Sequence, residues 1–142
     1  MTTEFDYETA QSAQVALTST GDKFTFTPCH PVDLIGFGII GDALIDVGAG
    51  MTVKVDKRPT AGSDSGRGDG DIGSIVRGTD ADIAAGKGLF TRFTTPKELN
   101  PGEQAVVEVT NAADTAGTGI VFLRYRKRPA AGSRWTGNIT EV

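Results

Sequence analysis

The sequence predicts an all-β chain: a single-domain β-sandwich or jelly-roll-like barrel of about eight to ten short strands, with an N-terminal arm over 1–22 and the sandwich over 23–142. Three observations predict it. Val, Ile and Thr supply 38 of the 142 residues, against 20 for Leu, Met, Glu and Lys. β-Branched side chains fit a pleated sheet and lose rotamer freedom in a helix. Nineteen glycines and six prolines break the chain every few residues, which suits many short strands joined by turns. Several of the segments between them alternate apolar and polar residues with the period of a half-buried strand.

The elements follow in order. Residues 1–22 are polar, with Phe5 and Tyr7 as isolated aromatics and room for a short helix around Thr9 to Leu17. Too little apolar surface lies there for the arm to fold alone, so it is frayed or ordered by a partner. Lys23 to Thr27 alternates, with Phe24 and Phe26 on one face. Val32 to Ile40 is apolar but interrupted by Gly36 and Gly38, and Ala43 to Val47 is a short strand candidate. Met51 to Asp56 turns Met51, Val53 and Val55 inward, and Gly73 to Arg77 is a short strand. A helix capped by Asp80 is expected over Ala81 to Ala85. Gly88 to Thr94, Gln104 to Thr110 and Gly119 to Lys127 complete the main strands, with a last short one at Trp135 to Thr140. In the Gly119 strand Val121, Leu123 and Tyr125 share one face, and Phe122, Arg124 and Arg126 the other. Asn100-Pro101-Gly102-Glu103 has the Pro and Gly positions of a type II turn.

Length and charge exclude several classes. A chain of 142 residues is the size of one domain with a real core. The longest nearly apolar run, Leu34 to Gly41, is far short of the roughly 18 residues of a membrane span. The N-terminus is acidic and shows no secretory pattern. One cysteine leaves no internal disulfide framework and no multi-cysteine metal site. The net charge of −4 disfavours a general nucleic-acid binder. The charge is uneven: residues 1–50 hold seven acids and one base, and residues 123–142 five bases and one acid. Such a dipolar chain can associate head to tail or dock on a surface of mixed sign, or the two regions are simply solvated.

Few motifs carry chemistry. Gly36-Phe37-Gly38-Ile39-Ile40-Gly41 has the dinucleotide-binding spacing, with Asp56 20 residues beyond Gly36. The helix that should follow contains Gly48 and Gly50 and is about a turn short, so a buried glycine-rich strand with bulges or tight bends is the better reading. Cys29 and His30 are neighbours between Pro28 and Pro31 and point apart in extended chain, so a buried thiol in a proline-bounded bend is expected rather than a catalytic pair. The glycine-rich loop 60–74 carries Asp64, Asp69 and Asp71, which lack the spacing of a calcium loop; a solvated loop is expected, with cation binding left open. Lys57 to Ser63 and Lys127 to Ser133 match at six of seven positions, read as two similar strand exits or chance in preference to duplicated halves. Nucleophile elbows, P-loops and zincin motifs are absent from the sequence.

The stretch from Ala84 to Pro129 reads AAGKGLF, then ELNPGEQAVVEVTNAADTAGTGIVFLRYRKRP. It resembles the small all-β capsid decoration (cement) proteins of tailed bacteriophages, which pair a strand after a P-G-E/D turn with a strand ending near Tyr and a K/R-R-P exit. The resemblance covers about a third of the chain. It implies a virion structural protein without enzymatic activity or cofactor, on the capsid exterior. Its expected partners are the major capsid protein and other copies of itself as dimer or trimer, with no membrane and no direct nucleic-acid contact. Under it, Phe5 and Tyr7 of the arm are aromatic anchors, and Arg124, Arg126 and Arg128 polar contacts to shell or sister subunit. Two other classes stay open. One is a glycan- or receptor-binding β-sandwich of a tail or head; the other is a small nucleotide-binding enzyme using Gly36, Gly38 and Gly41.

Overall fold

A computed structural model describes residues 7–59 and 71–128. Among these residues nine strands form two packed antiparallel sheets: β1 (Glu8–Gln11), β2 (Val15–Ala16), β3 (Gly21–Phe26), β4 (Val32–Gly41), β5 (Met51–Pro59), β6 (Asp71–Arg77), β7 (Gly88–Leu99), β8 (Glu103–Asn111) and β9 (Thr118–Lys127). The five-stranded sheet has the order β1-β9-β4-β7 with β2 also on β9, and the four-stranded sheet the order β3-β8-β5-β6. The pairings nest: β5 with β6, β4 with β7, β3 with β8, and β1 and β2 with β9. A long antiparallel ribbon folded over itself gives this nesting, which is the wrapping of a jelly roll.

Alternation builds the core. Met51, Val53, Val55, Ala105, Val107 and Val109 from one sheet meet Val32, Leu34, Phe37, Ile39, Val121 and Leu123 from the other, all essentially inaccessible. Within it Phe37 and Phe93, on the neighbouring strands β4 and β7, stack at 6.2 Å between ring centroids. The Asn100–Glu103 turn forms as its residues require, with Gly102 at φ +94° and the Glu103 amide donating to the Asn100 carbonyl at 3.0 Å.

Three expected elements differ. The Thr9 to Leu17 region is not helical: β1 and β2 add to the edge of β9, and the Ser12 amide donates to the Val121 carbonyl while Ser12 Oγ accepts from the Val121 amide. Leu17 is fully buried, so cross-strand bonding and one core anchor override weak helical propensity. The helix after Asp80 is absent because Asp80 takes φ +57° and Ile83 leaves the turn to bridge Ile45. The Ala43 to Val47 strand reduces to that single bridge. The strand expected at Trp135 to Thr140, most of the 60–74 loop and Phe5 lie outside the described residues.

Candidate functional site

β4 lies at the centre of the five-stranded sheet, between β9 and β7. Ile35 is buried at a bulge, where the register to both neighbours shifts between Leu34 and Gly36. Beyond the bulge Phe37 and Ile39 point into the core, so Gly36, Gly38 and Ile40 line the outer face. Register then fixes two rows across that face. Gln11, Phe122, Gly38 and Phe90 form one; Thr9, Arg124, Gly36 and Arg92 form the next.

The glycines are the floor of this patch. A Cβ on Gly38 would sit 2.4 Å from the Phe122 ring and 2.3 Å from the Leu89 carbonyl oxygen, and one on Gly36 2.7 Å from the Phe90 ring and 2.3 Å from the Thr91 oxygen. The missing side chains thus leave room for two aromatic rings from the flanking strands. Phe90 and Phe122 lie nearly parallel, at 6° with centroids 6.0 Å apart, and the Arg124 guanidinium stands 5.8 Å from the Phe90 centroid. Phe90 stays 43% exposed and Ile40 42%. The G-x-G-x-x-G segment is therefore a central strand and not a turn opening a helix, and the nucleotide-binding alternative loses the geometry it needs.

The arginines expected to make contacts fall into two groups. Arg124 is exposed on this face, and neither it nor Arg92 forms an ion pair among the described residues. Arg126 and Arg128 are engaged within the chain: Arg126 with Asp33 at 3.4 Å, and Arg128 with Asp33 at 3.2 Å and Glu98 at 2.7 Å. Tyr7 is half-buried just before β1. The sequence reading missed Phe90 and Arg92 as contact candidates. The signal was present in the alternation of Gly88 to Thr94, but nothing in one sequence says that β7 lies beside the glycines of β4.

At the lateral edge, Glu8, Phe26, Pro28, Cys29, Val32 and Tyr125 help line a pocket of about 240 Å³. Tyr125 donates to Glu8 at 2.9 Å and packs on Phe26 at 4.8 Å. Burial, then the bond to Glu8, push its phenol above its ordinary pKa. Cys29 and His30 are both exposed, which corrects the expectation of a buried thiol: Pro28 fills the buried position of that bend instead.

The opposite outer face, on the four-stranded sheet, holds a dense charge cluster. Arg58 donates to Asp22 at 2.7 and 3.2 Å, to Asp56 at 3.1 Å and to Glu108 at 3.4 Å. Lys54 lies 2.8 Å from Asp71 and 3.7 Å from Asp56. Asp56 is only 2% exposed, directly opposite buried Val106. Burial, and a hydrogen bond shared with Asp71, raise its pKa to about 6 against the pull of Arg58. The bond from Lys54 holds Asp71 low. Of the three loop aspartates only Asp71 is described, and no group of three or more potential metal ligands occurs among the described residues.

Comparison with known proteins finds no matching family model and no matching curated protein. Among solved structures, a chain of the cyanophage Pam1 capsid asymmetric unit is similar at 15% identity, over 87% of this chain and 86% of that one, with a TM-score of 0.38. A chain of infectious bursal disease virus strain Gx is similar at 8% identity, over 88% of this chain and 33% of that one, with a TM-score of 0.37. An α-amino acid ester hydrolase is similar at 13% identity, over 85% and 23%, with a TM-score of 0.29.

Proposed function

We propose that this chain is a non-enzymatic virion structural protein that binds the outer surface of a phage capsid at capsomer junctions and stabilises the head. The observation that carries the reading is the outer face of the five-stranded sheet: two parallel phenylalanine rings seated on a glycine floor, with the Arg124 guanidinium over one of them, Arg92 in the same cross-strand row as Arg124, and neither arginine ion-paired among the described residues. Aromatic and Arg side chains with little polar cover are the composition of interface centres. Phe90, Arg92, Phe122 and Arg124 all fall within the stretch that resembles capsid decoration proteins. The jelly roll is an architecture of capsid and lectin domains, which supports a binding role without choosing between them. Many copies on a shell supply avidity, so a patch this small suffices.

Glycan or receptor binding is the second reading, favoured by the exposed Phe90. Sugars stack on open ring faces, and Arg124 already occupies one side of this ring, which weighs against it. The test is cosedimentation with heads purified from the encoding phage without this protein. Saturable binding and a higher temperature of DNA release support the proposal. A chain that stays in the supernatant, with a clear hit on a glycan array, replaces it with the second reading.

A further inference from the structure

The outer face of the five-stranded sheet also specifies the chemistry of what covers it. Along β9 the charges change character within a few residues. Arg126 and Arg128 are matched by Asp33 and Glu98, which lie on the neighbouring β4 and β7. One row further, Arg124 and Arg92 flank Gly36 from either side, and that row contains Thr9 and glycine but no acid. Asp33 and Glu98 are already committed to the other two arginines, and Glu8 of β1 is engaged by Tyr125 and Lys127. The two guanidiniums start from Cα atoms two strand spacings apart, about 10 Å. Between them and the next row lie the rings of Phe90 and Phe122, with Ile40 exposed beyond.

We infer that this face docks on an acidic protein surface of the shell, which offers carboxylates to both Arg92 and Arg124 and an apolar side chain to the Phe90–Phe122 pair. The inference rests on the decoration reading and names the partner chemistry of that face. Charge complementarity supplies the argument: a pair of arginines unmatched among the described residues, beside an exposed apolar patch, is completed by carboxylates, and planar guanidinium forks match them two bonds at a time. A nucleic acid is a poorer occupant. Two cations on this face of a chain of net charge −4 give little phosphate neutralisation.

The test uses the full chain with Arg92→Glu/Arg124→Glu and Arg92→Lys/Arg124→Lys variants, stripped heads, a short duplex DNA competitor and sedimentation equilibrium. The expected result is a loss of head binding of at least about tenfold in the glutamate pair, with the melting temperature unchanged. The lysine pair retains most of the affinity, binding weakens with added salt, and DNA does not compete. Wild-type binding shared undiminished by the glutamate pair overturns this inference and leaves the decoration reading standing. Displacement by DNA, or an oligomer that the glutamate pair dissociates while head binding persists, overturns it by naming a phosphate or a second copy as the occupant. No wild-type binding at all removes the decoration reading itself.

Discussion

The two outer faces of the sandwich are built from the same kinds of side chain and end in opposite states. On the four-stranded sheet, Arg58, Lys54, Asp22, Asp56, Asp71 and Glu108 close on one another. On the five-stranded sheet, Arg92 and Arg124 meet no carboxylate among the described residues, and the space beside them is filled by aromatic rings over glycine. A closed charge cluster contributes to the fold and offers little to a partner. An open one contributes little to the fold and keeps its interactions for an interface. The same residue type, arginine on an outward row of a strand, therefore has different consequences on the two sides.

The largest effect expected from this contrast is on Arg58. Its removal leaves the buried Asp56 carboxylate without its guanidinium and beside Glu108 and Asp71. Arg58→Ala should lose about 3 kcal/mol at neutral pH, read as a melting temperature lower by roughly 6–12 °C. A change under about 0.5 kcal/mol would put the closed cluster in the same class as ordinary surface pairs.

Next comes the floor of the open face. Gly38→Ala drives a methyl to 2.3 Å from the Leu89 carbonyl oxygen and into the Phe122 ring, so the strand pair or the ring must shift. About 2 kcal/mol of destabilisation is expected from such overpacking. Lost packing of Phe122 should accompany it, visible as a changed aromatic environment in near-ultraviolet dichroism. Full stability with an unchanged spectrum would mean the rings do not rest on the glycines.

Asp56 gives a smaller effect that depends on pH. Its folded pKa of about 6 lies above the ordinary 3.8, so between those values the native state holds more of this proton than the unfolded state. Linkage then makes stability fall as pH rises through that window, with the penalty fully present above about 6. Asp71, held low by Lys54, works in the opposite sense below its ordinary value. Asp56→Asn should remove the first dependence: measured against the wild type, the variant gains relative stability as pH rises from 4.5 to 7.5. A constant difference across that range would show that Asp56 titrates normally.

Smallest of all is Arg124→Ala. With the ring of Phe90 as its one partner among the described residues, the change should stay within about 0.5 kcal/mol, in contrast to Arg58→Ala. A loss as large as that of Arg58 would reveal a partner inside the fold and close the face.

Much of the architecture was legible from the chain. Alternation at Met51–Asp56 and Gly119–Lys127 placed Met51, Val53, Val55, Val121 and Leu123 inward, and the structure buries all five. Gly48 and Gly50, awkward for a helix, argued against a phosphate-binding turn, and both adopt positive φ in the connection between β4 and β5. What stayed hidden was non-local. The segment from Thr9 to Leu17 becomes strand only because β9 offers an open edge, and Ile83 forsakes a helix for Ile45 across the molecule. The site was half legible: Arg124 was visible as an outward cation, but its difference from Arg126 and Arg128 depends on Asp33 and Glu98, far away in sequence. No periodicity reports that pairing.

Hydroxyl-radical footprinting of the full chain, free and bound to heads, tests the central claim most directly, because it reads side-chain access face by face. Phe90 and Phe122 should become strongly protected on binding, while Lys54, Arg58 and Val76 on the opposite sheet keep their reactivity. Protection confined to the four-stranded sheet, with the Phe90–Phe122 pair as reactive as in the free protein, would contradict the assignment of the open face as the one that grips a partner.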